Sequence, residues 1–279
     1  MIKSVSELGK DKLFETVNAR RSVRTFDGNG LTAEDQQELL DFANNVANPY
    51  GQSVAFQIFS AKEHNLASPV IAGTDLFMTG KLLKQPHAEE AFGYSMEEVV
   101  LFAQSKGIGT TWIAGTMNRD AFEKAAGLVE GERMPCVSPL GHPAAKMGLK
   151  ESLMRKGVRA DSRIAFEKLF FKDSFDTPLK KEDAGDLADA LEAVRWAPSA
   201  VNKQPWRAVV CGSVVHFYEH KDKGYDDGTW DLQKVDLGIA LQHYMAMLCA
   251  FGKVPQLRIE DPGIACPAGT EYIATIEPK

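Results

Sequence analysis

The stretch Ala197–Trp206, Ala-Pro-Ser-Ala-Val-Asn-Lys-Gln-Pro-Trp, constrains the fold more than any other part of the chain. Pro198 and Pro205 each fix a backbone torsion and withhold a donor, so neither a helix nor an inner strand can run through it. A helical pattern over Glu182–Trp196 precedes the stretch, and an apolar run that reads as a strand, Arg207–Cys211, follows it. The chain must therefore pass from helix to strand through a stiff, extended loop. Ser199, Asn202 and Gln204 line that loop with hydrogen-bonding groups, and Trp206 anchors it. A stiff polar loop on a packed scaffold is where binding residues concentrate. Ordinary connection chemistry would suit the same residues.

The same order of elements occurs earlier. Leu39–Phe59 runs helix, Asn48-Pro49, polar loop, strand, and Ala188–Val210 runs helix, Ala197-Pro198, polar loop, strand. Each half also carries a buried helix ending at glycine, Tyr94–Gly107 and Leu237–Gly252. Such units are common, so chance similarity competes with a true repeat. A true repeat makes the chain an α+β pseudo-dimer: two related helix/sheet lobes, residues 1–160 and 161–279, fused into one intertwined unit. The 279 residues suffice for that core, and a pocket is then expected where the lobes meet.

Further elements follow from periodicity and punctuation. Asp11–Asn18 reads as a short helix, and Thr32 with Asp35 caps a helix to about Val46. Val54–Ala61, Ile108–Gly115, Cys136–Leu140 and Tyr272–Ile276 read as strands, and Asn118 caps a helix to about Ala126. Gly212-Ser213 joins Arg207–Cys211 to Val214–Tyr218 as a hairpin. Lys146–Arg159, the most polar part, reads as a linker or surface crossing. Glu63–Glu90 gives no clear pattern.

Charge singles out a second segment. The chain has 32 Lys and Arg against 38 Asp and Glu, a net charge of −6, which leaves no general excess of cations to neutralise nucleic-acid phosphates. Yet Arg20-Arg21-Ser22-Val23-Arg24 places three arginines within five residues. Extended, it turns Arg20, Ser22 and Arg24 to one face; helical, it stacks Arg20 and Arg24 one turn apart. Guanidinium forks pair with phosphate through two parallel bonds, so a phosphate clamp is one reading and a solvated basic turn the other.

Together these pieces resemble the nitroreductase family of FMN-dependent flavoproteins, in its single-chain, two-lobe form. The family opens with a helix leading into Arg-Arg-Ser-x-Arg/Lys, as Arg20–Arg24 does. It carries an Ala-Pro-Ser-x-x-Asn-x-Gln-Pro-Trp loop, matched by Ala197–Trp206. Ser95–Gly115 is similar to its long helix, Gly-Leu-Gly-like turn and Gly-ended strand, and Val137–Pro143 to its strand ending in Gly-Tyr-Pro. Elsewhere in the family the Pro-Ser-Asn loop closely follows the arginine motif; here Asn48-Pro49-Tyr50-Gly51-Gln52 stands in that place. The resemblance thus implies one composite FMN site per chain, with arginines from the first lobe and the loop from the second. The mirror site, Pro49–Gln52 with Ile164–Phe171, lacks the arginines and is expected to be empty.

By the same resemblance Arg20 and Ser22 hold the phosphate, with Arg21 assisting and Arg163 as a second phosphate-binding arginine. Arg24 would sit beside flavin N1 and O2. Ile113, Ala114 and Gly115 would lie along the ring with a backbone N–H directed at N5 and O4, and Pro198, Ser199, Ala200 and Asn202 would contact it from the second lobe. The implied activity passes hydride from NAD(P)H through flavin N5 to a nitroaromatic, quinone or similar small-molecule acceptor by a ping-pong route. A flavin-binding relative without turnover and a fold relative without flavin are the alternatives.

No G-x-S-x-G, H-E-x-x-H or Walker-type loop competes with this reading. The six histidines are scattered, and His216 and His220 read as surface residues. Tyr94, Trp112 and Trp206 read as core aromatics. The four cysteines share no metal-binding spacing and suit a reducing cytoplasm, and neither a signal peptide nor a membrane span is expected. A monomer or weak homodimer is expected.

Overall fold

The computed structural model describes residues 2–228 and 230–279. Its helices are α1 (Lys10–Ala19), α2 (Ala33–Asn44), α3 (Ala88–Ser105), α4 (Arg119–Ala125), α5 (Leu149–Gly157), α6 (Phe166–Leu169), α7 (Ala188–Trp196) and α8 (Leu232–Ala250). Its strands are β1 (Ala55–Ser60), β2 (Leu76–Leu83), β3 (Glu132–Arg133), β4 (Val137–Leu140), β5 (Phe170–Lys172), β6 (Trp206–Cys211), β7 (Val214–His220), β8 (Pro255–Arg258) and β9 (Thr270–Pro278).

The strands form two sheets, each drawn from one half of the chain. In the first, β2 pairs with β1 along one edge and with β3 and β4 along the other. The second runs β5-β6-β7-β9-β8 and is antiparallel except where β5 joins β6. Gly212-Ser213 makes the β6–β7 turn, with Cys211 opposite Val214. This is the α+β, two-lobe architecture expected from the repeat.

Helices α3 and α8 hold the lobes together. A Cβ on Gly93 would lie 2.0 Å from the Val235 carbonyl oxygen, and one on Gly238 would lie 2.1 Å from that of Glu90. The helices therefore touch backbone to backbone, which only glycine permits. One turn further along both, Glu97 meets His243 and Glu98 meets Gln242. The paired positions advance together, so the helices run in the same direction. Gly93 and Gly238, Glu97 and Gln242, and Glu98 and His243 each stand 145 residues apart. The contacts thus obey an approximate two-fold axis between the helices.

Several sequence expectations change. Helix α3 begins at Ala88 and α8 at Leu232, both earlier than periodicity marks. Glu90, at the end of the stretch that gives no clear pattern, is buried, and Gly93, just before the expected start at Tyr94, is the contact point. Lys146–Arg159 contains α5, whose Glu151 is buried, where a linker or surface crossing was expected. Ile108–Gly115 is no continuous strand: Gly109 bridges Gly141, Thr110 bridges Ser22 and Ile113 bridges Val137. The segment is threaded between two neighbours and pairs alternately with each. His216 is buried in β7, 2.8 Å from Thr275 Oγ1, while His220 lies at the exposed end.

Candidate functional site

Helix α1 ends at Ala19, and the chain turns extended at Arg20. Val23 donates its N–H to Thr110 O at 2.9 Å, and Phe26 does the same to Ala72 O. These bridges keep the segment straight, so its side chains alternate. Val23 enters the core. Arg21 reaches Glu151 of α5, Nη1 to Oε1 at 2.6 Å, and the Arg24 N–H donates to the other oxygen at 3.1 Å. Arg20, Ser22 and Arg24 occupy the opposite face, and none of the described hydrogen bonds uses their side chains. Arg20 Nε and Arg24 Nε are both buried without a hydrogen-bond partner.

More arginines close on that face. Arg163 also has a buried, unpartnered Nε. Its guanidinium lies 4.8 Å from the centre of the Trp196 ring, and Nη1 donates to Ala160 O at 2.9 Å. Burial first, then the nearby Arg20 and Arg195, lower the Arg163 pKa to about 10. Arg155 of α5 lies close enough to Arg20, Arg24 and Arg163 to disfavour the charge on each. Arg20 and Arg24 are lowered chiefly by burial, partly offset by Glu97 and Glu151 respectively. Like charges gathered in a partly dry place, with the Nε donors of Arg20, Arg24 and Arg163 unspent, form a site prepared for an anion.

The loop after α7 meets this cluster through the turn bearing Arg163. Asn202 Nδ2 donates to Arg159 O at 2.8 Å and Ser162 O at 3.1 Å, and Gln204 Oε1 accepts the Ile164 N–H at 2.9 Å. Ser199 Oγ accepts the Gln204 N–H at 2.8 Å. The Ala200 N–H donates to both oxygens of Asp236 on α8, at 3.0 and 3.1 Å. Burial pushes that carboxyl well above its usual range. Val201, Asn202 and Gln204 have φ of +50°, +58° and +52°, left-handed torsions that disfavour a β-branched residue most of all. The hydrogen bonds hold that strain in place and leave Val201 60% exposed at the tip.

A buried polar seam lies beneath. Glu97 of α3 is fully buried; Oε1 stands 2.9 Å from His243 Nε2 and 3.9 Å from Arg20 Nε, and Oε2 accepts the Trp112 indole N–H at 3.1 Å. Trp112, next in the chain to Ile113–Gly115, is thereby bonded to the carboxylate that faces Arg20.

The structure thus draws Arg20, Ser22, Arg24 and Arg163 together and ties the Pro198–Asn202 loop to the same turn. Other expected residues take different parts. Arg21 is spent on Glu151. Ile113 buries its side chain and uses both backbone groups on Val137, so its N–H is unavailable to a ligand, leaving Ala114 and Gly115 beyond the bridge. The N–H of Ala200 belongs to Asp236, and the Asn202 amide braces its own loop. Sequence reading missed Glu97, His243, Glu151 and Arg155. The last two stand one helical turn apart on α5, a spacing visible in the sequence once that stretch is taken as helix. Among the described residues no cluster could hold a metal ion, and no helix is long and apolar enough to cross a membrane.

Residues 12–248 match the family model described as "Putative TM nitroreductase". Among solved structures, one described as a putative nitroreductase from Thermotoga maritima superposes with TM-score 0.62 at 19% identity, covering 95% of this chain and 92% of that one. A putative NADH dehydrogenase/NAD(P)H nitroreductase from Bacteroides thetaiotaomicron gives TM-score 0.42 at 18% identity over 49% of this chain and 89% of its own. An FMN-dependent nitroreductase from Clostridium difficile gives 0.41 at 16% identity over 50% and 94%. A search of curated proteins finds no significant match.

Proposed function

We propose, proceeding from the fact that the chain belongs to the "Putative TM nitroreductase" family, that it is an FMN-dependent oxidoreductase drawing electrons from NAD(P)H for a small-molecule acceptor such as a nitroaromatic or quinone. One observation carries the reading: the side chains of Arg20, Ser22 and Arg24 share one face of an extended segment beside Arg163, and none of the described hydrogen bonds uses them. Three buried guanidinium Nε atoms there lack partners, which fits the phosphate of FMN.

In this reading Arg20, Ser22 and Arg163 bind the phosphate, Arg24 sits beside flavin N1 and O2, and Arg155 adds to the local positive charge. Glu151 draws Arg21 off and fixes the segment from behind. Ala114, Gly115 and the Pro198–Asn202 loop bound the place for the ring, and the braces on Asn202 and Gln204 keep that loop from collapsing. Ile113 supports the ring place from the core and has no N–H to offer it. FMN, when bound, supplies the hydride-accepting and hydride-donating chemistry, so no protein nucleophile is required. The two-lobe division near residue 160 belongs to the same reading: one lobe brings the arginine segment and the other the loop, so a monomer holds a whole site.

The test is an absorption spectrum with flavin quantified per chain. One FMN per chain is expected, with NAD(P)H oxidation on addition of a nitroaromatic. Protein that stays colourless after incubation with FMN would refute the reading; yellow protein that consumes no NAD(P)H would confine it to binding.

A further inference from the structure

The side chain that faces Arg20 from beneath is joined to the other lobe. His243 Nδ1 lies 2.9 Å from the Ala193 carbonyl oxygen, which can only accept, so Nδ1 carries a proton. His243 Nε2 then faces Glu97 Oε1 at 2.9 Å. A bare nitrogen and a bare carboxylate oxygen would repel at that distance, so one proton sits between them. Glu97 and His243 are each at most 1% exposed, so the contact is a buried hydrogen bond, with one proton between the two atoms, linking α3 to α8.

We infer that Glu97, locked by His243 across the lobe boundary, is the positioning residue that aims Arg20 at the anion site. The inference rests on the proposed function only in naming the anion as FMN phosphate. Glu97 holds the inner edge of the guanidinium by charge at 3.9 Å, too long for a hydrogen bond, and so leaves every N–H of Arg20 free for a ligand. His243 and Trp112 occupy the carboxylate and keep it from rotating onto Arg20. A lone arginine in that place would have many orientations; this one is constrained by a contact its own lobe does not supply.

The experiment is a double-mutant cycle read by quenching of FMN fluorescence, using wild type, Glu97→Gln, Arg20→Ala and the double variant. Glu97→Gln is expected to weaken FMN binding about tenfold in the wild-type background and less than about twofold in the Arg20→Ala background. Equal losses in both backgrounds, or none in the first, would overturn the assignment. His243→Gln, which keeps a neutral donor, should weaken binding less than Glu97→Gln and serves if the latter does not fold. A second arm needs no flavin. Nitrogen-15 NMR of the wild type should show His243 Nδ1 protonated and the Arg20 Nε–H held rigid, with a high order parameter. That order should fall in Glu97→Gln or, where that variant does not fold, in His243→Gln. A bare His243 Nδ1, or Arg20 order unchanged in the variant, counts against the inference even if FMN binds. A wild type that ignores FMN yet passes the NMR arm removes the flavin reading alone.

Discussion

Glu97 and Gln242 occupy equivalent places on the two central helices, and their surroundings differ sharply. Glu97 has His243, Trp112 and Arg20 around it. Gln242 gives its amide N–H to Glu98 at 2.6 Å and keeps a buried Oε1 with no hydrogen-bond partner. The clefts on either side diverge in the same way. Beside the Pro198–Gln204 loop stand Arg20, Arg24, Arg155 and Arg163. Beside the Asn48–Gln52 loop, Gln52 Nε2 donates to Pro86 O, Tyr50 stacks on His87, and Pro86 and His87 line a cavity shared with Glu89, Glu90, Asp226 and Asp231. One side is cationic, with the Nε donors of Arg20, Arg24 and Arg163 unspent; the other is acidic on balance, with Lys234 against four carboxylates, and its loop leaves Tyr50 Oη and Gln52 Oε1 buried without partners. A phosphate is attracted to the first and repelled by the second. The fold repeats; the electrostatics do not.

The largest effects should come where the two halves remain alike. Gly93→Ala and Gly238→Ala each drive a methyl into a backbone carbonyl, and each should cost about 3 kcal/mol in chemical denaturation. If one is tolerated and the other is not, the two-fold relation of the helices is wrong. Next, Arg20→Ala should raise the FMN dissociation constant about a hundredfold by fluorescence titration, whereas Gln52→Ala in the equivalent cleft should leave it unchanged. Unchanged retention in Arg20→Ala would erase the functional contrast between the clefts.

A smaller effect separates the loops. Asn48 accepts the N–H groups of Tyr50 and Gln52 and donates to Gln52 O and Ser95 Oγ. Asn48→Ala should lower stability by about 1–2 kcal/mol in urea with FMN affinity intact. Asn202→Ala should weaken both, because its amide holds the turn that bears Arg163. The last concerns the acidic side. Glu219, fully buried with both oxygens lacking hydrogen-bond partners, is raised from 4.5 to about 8, mainly by burial and then by Asp231. Between those values the folded state holds a proton that the unfolded chain has released, so stability falls as pH rises through that window. Glu219→Gln should flatten the dependence of melting temperature between about pH 5 and 8; a slope as steep as wild type would mean that Glu219 is not its source.

Local rules carried much of this architecture into the sequence. The Thr32–Asp35 capping box forms as its spacing implies, with Asp35 N–H to Thr32 Oγ1 at 3.0 Å. The alternation of Arg20, Ser22 and Arg24 follows once the segment is extended, and the helix–loop–strand repeat indicated two lobes. What stayed hidden depends on partners remote in the chain. Glu97 and His243 look like ordinary polar residues on helices, and only the crossing at Gly93 and Gly238 buries them against one another. Ile113 reads as a strand residue near the ring, yet which of its backbone groups remain free is decided by Val137. Arg155 was lost in a polar stretch because the buried role of Glu151, which binds that helix to the arginine segment, leaves no periodic trace.

A two-fold assembly of separate identical chains must install every residue twice, so a glutamate facing a histidine on one side would be copied on the other. Joining the halves in one polypeptide lifts that obligation, and each side can be altered without its twin. It also makes the meeting of α3 and α8 intramolecular, so dilution to nanomolar protein should cost none of the complete site.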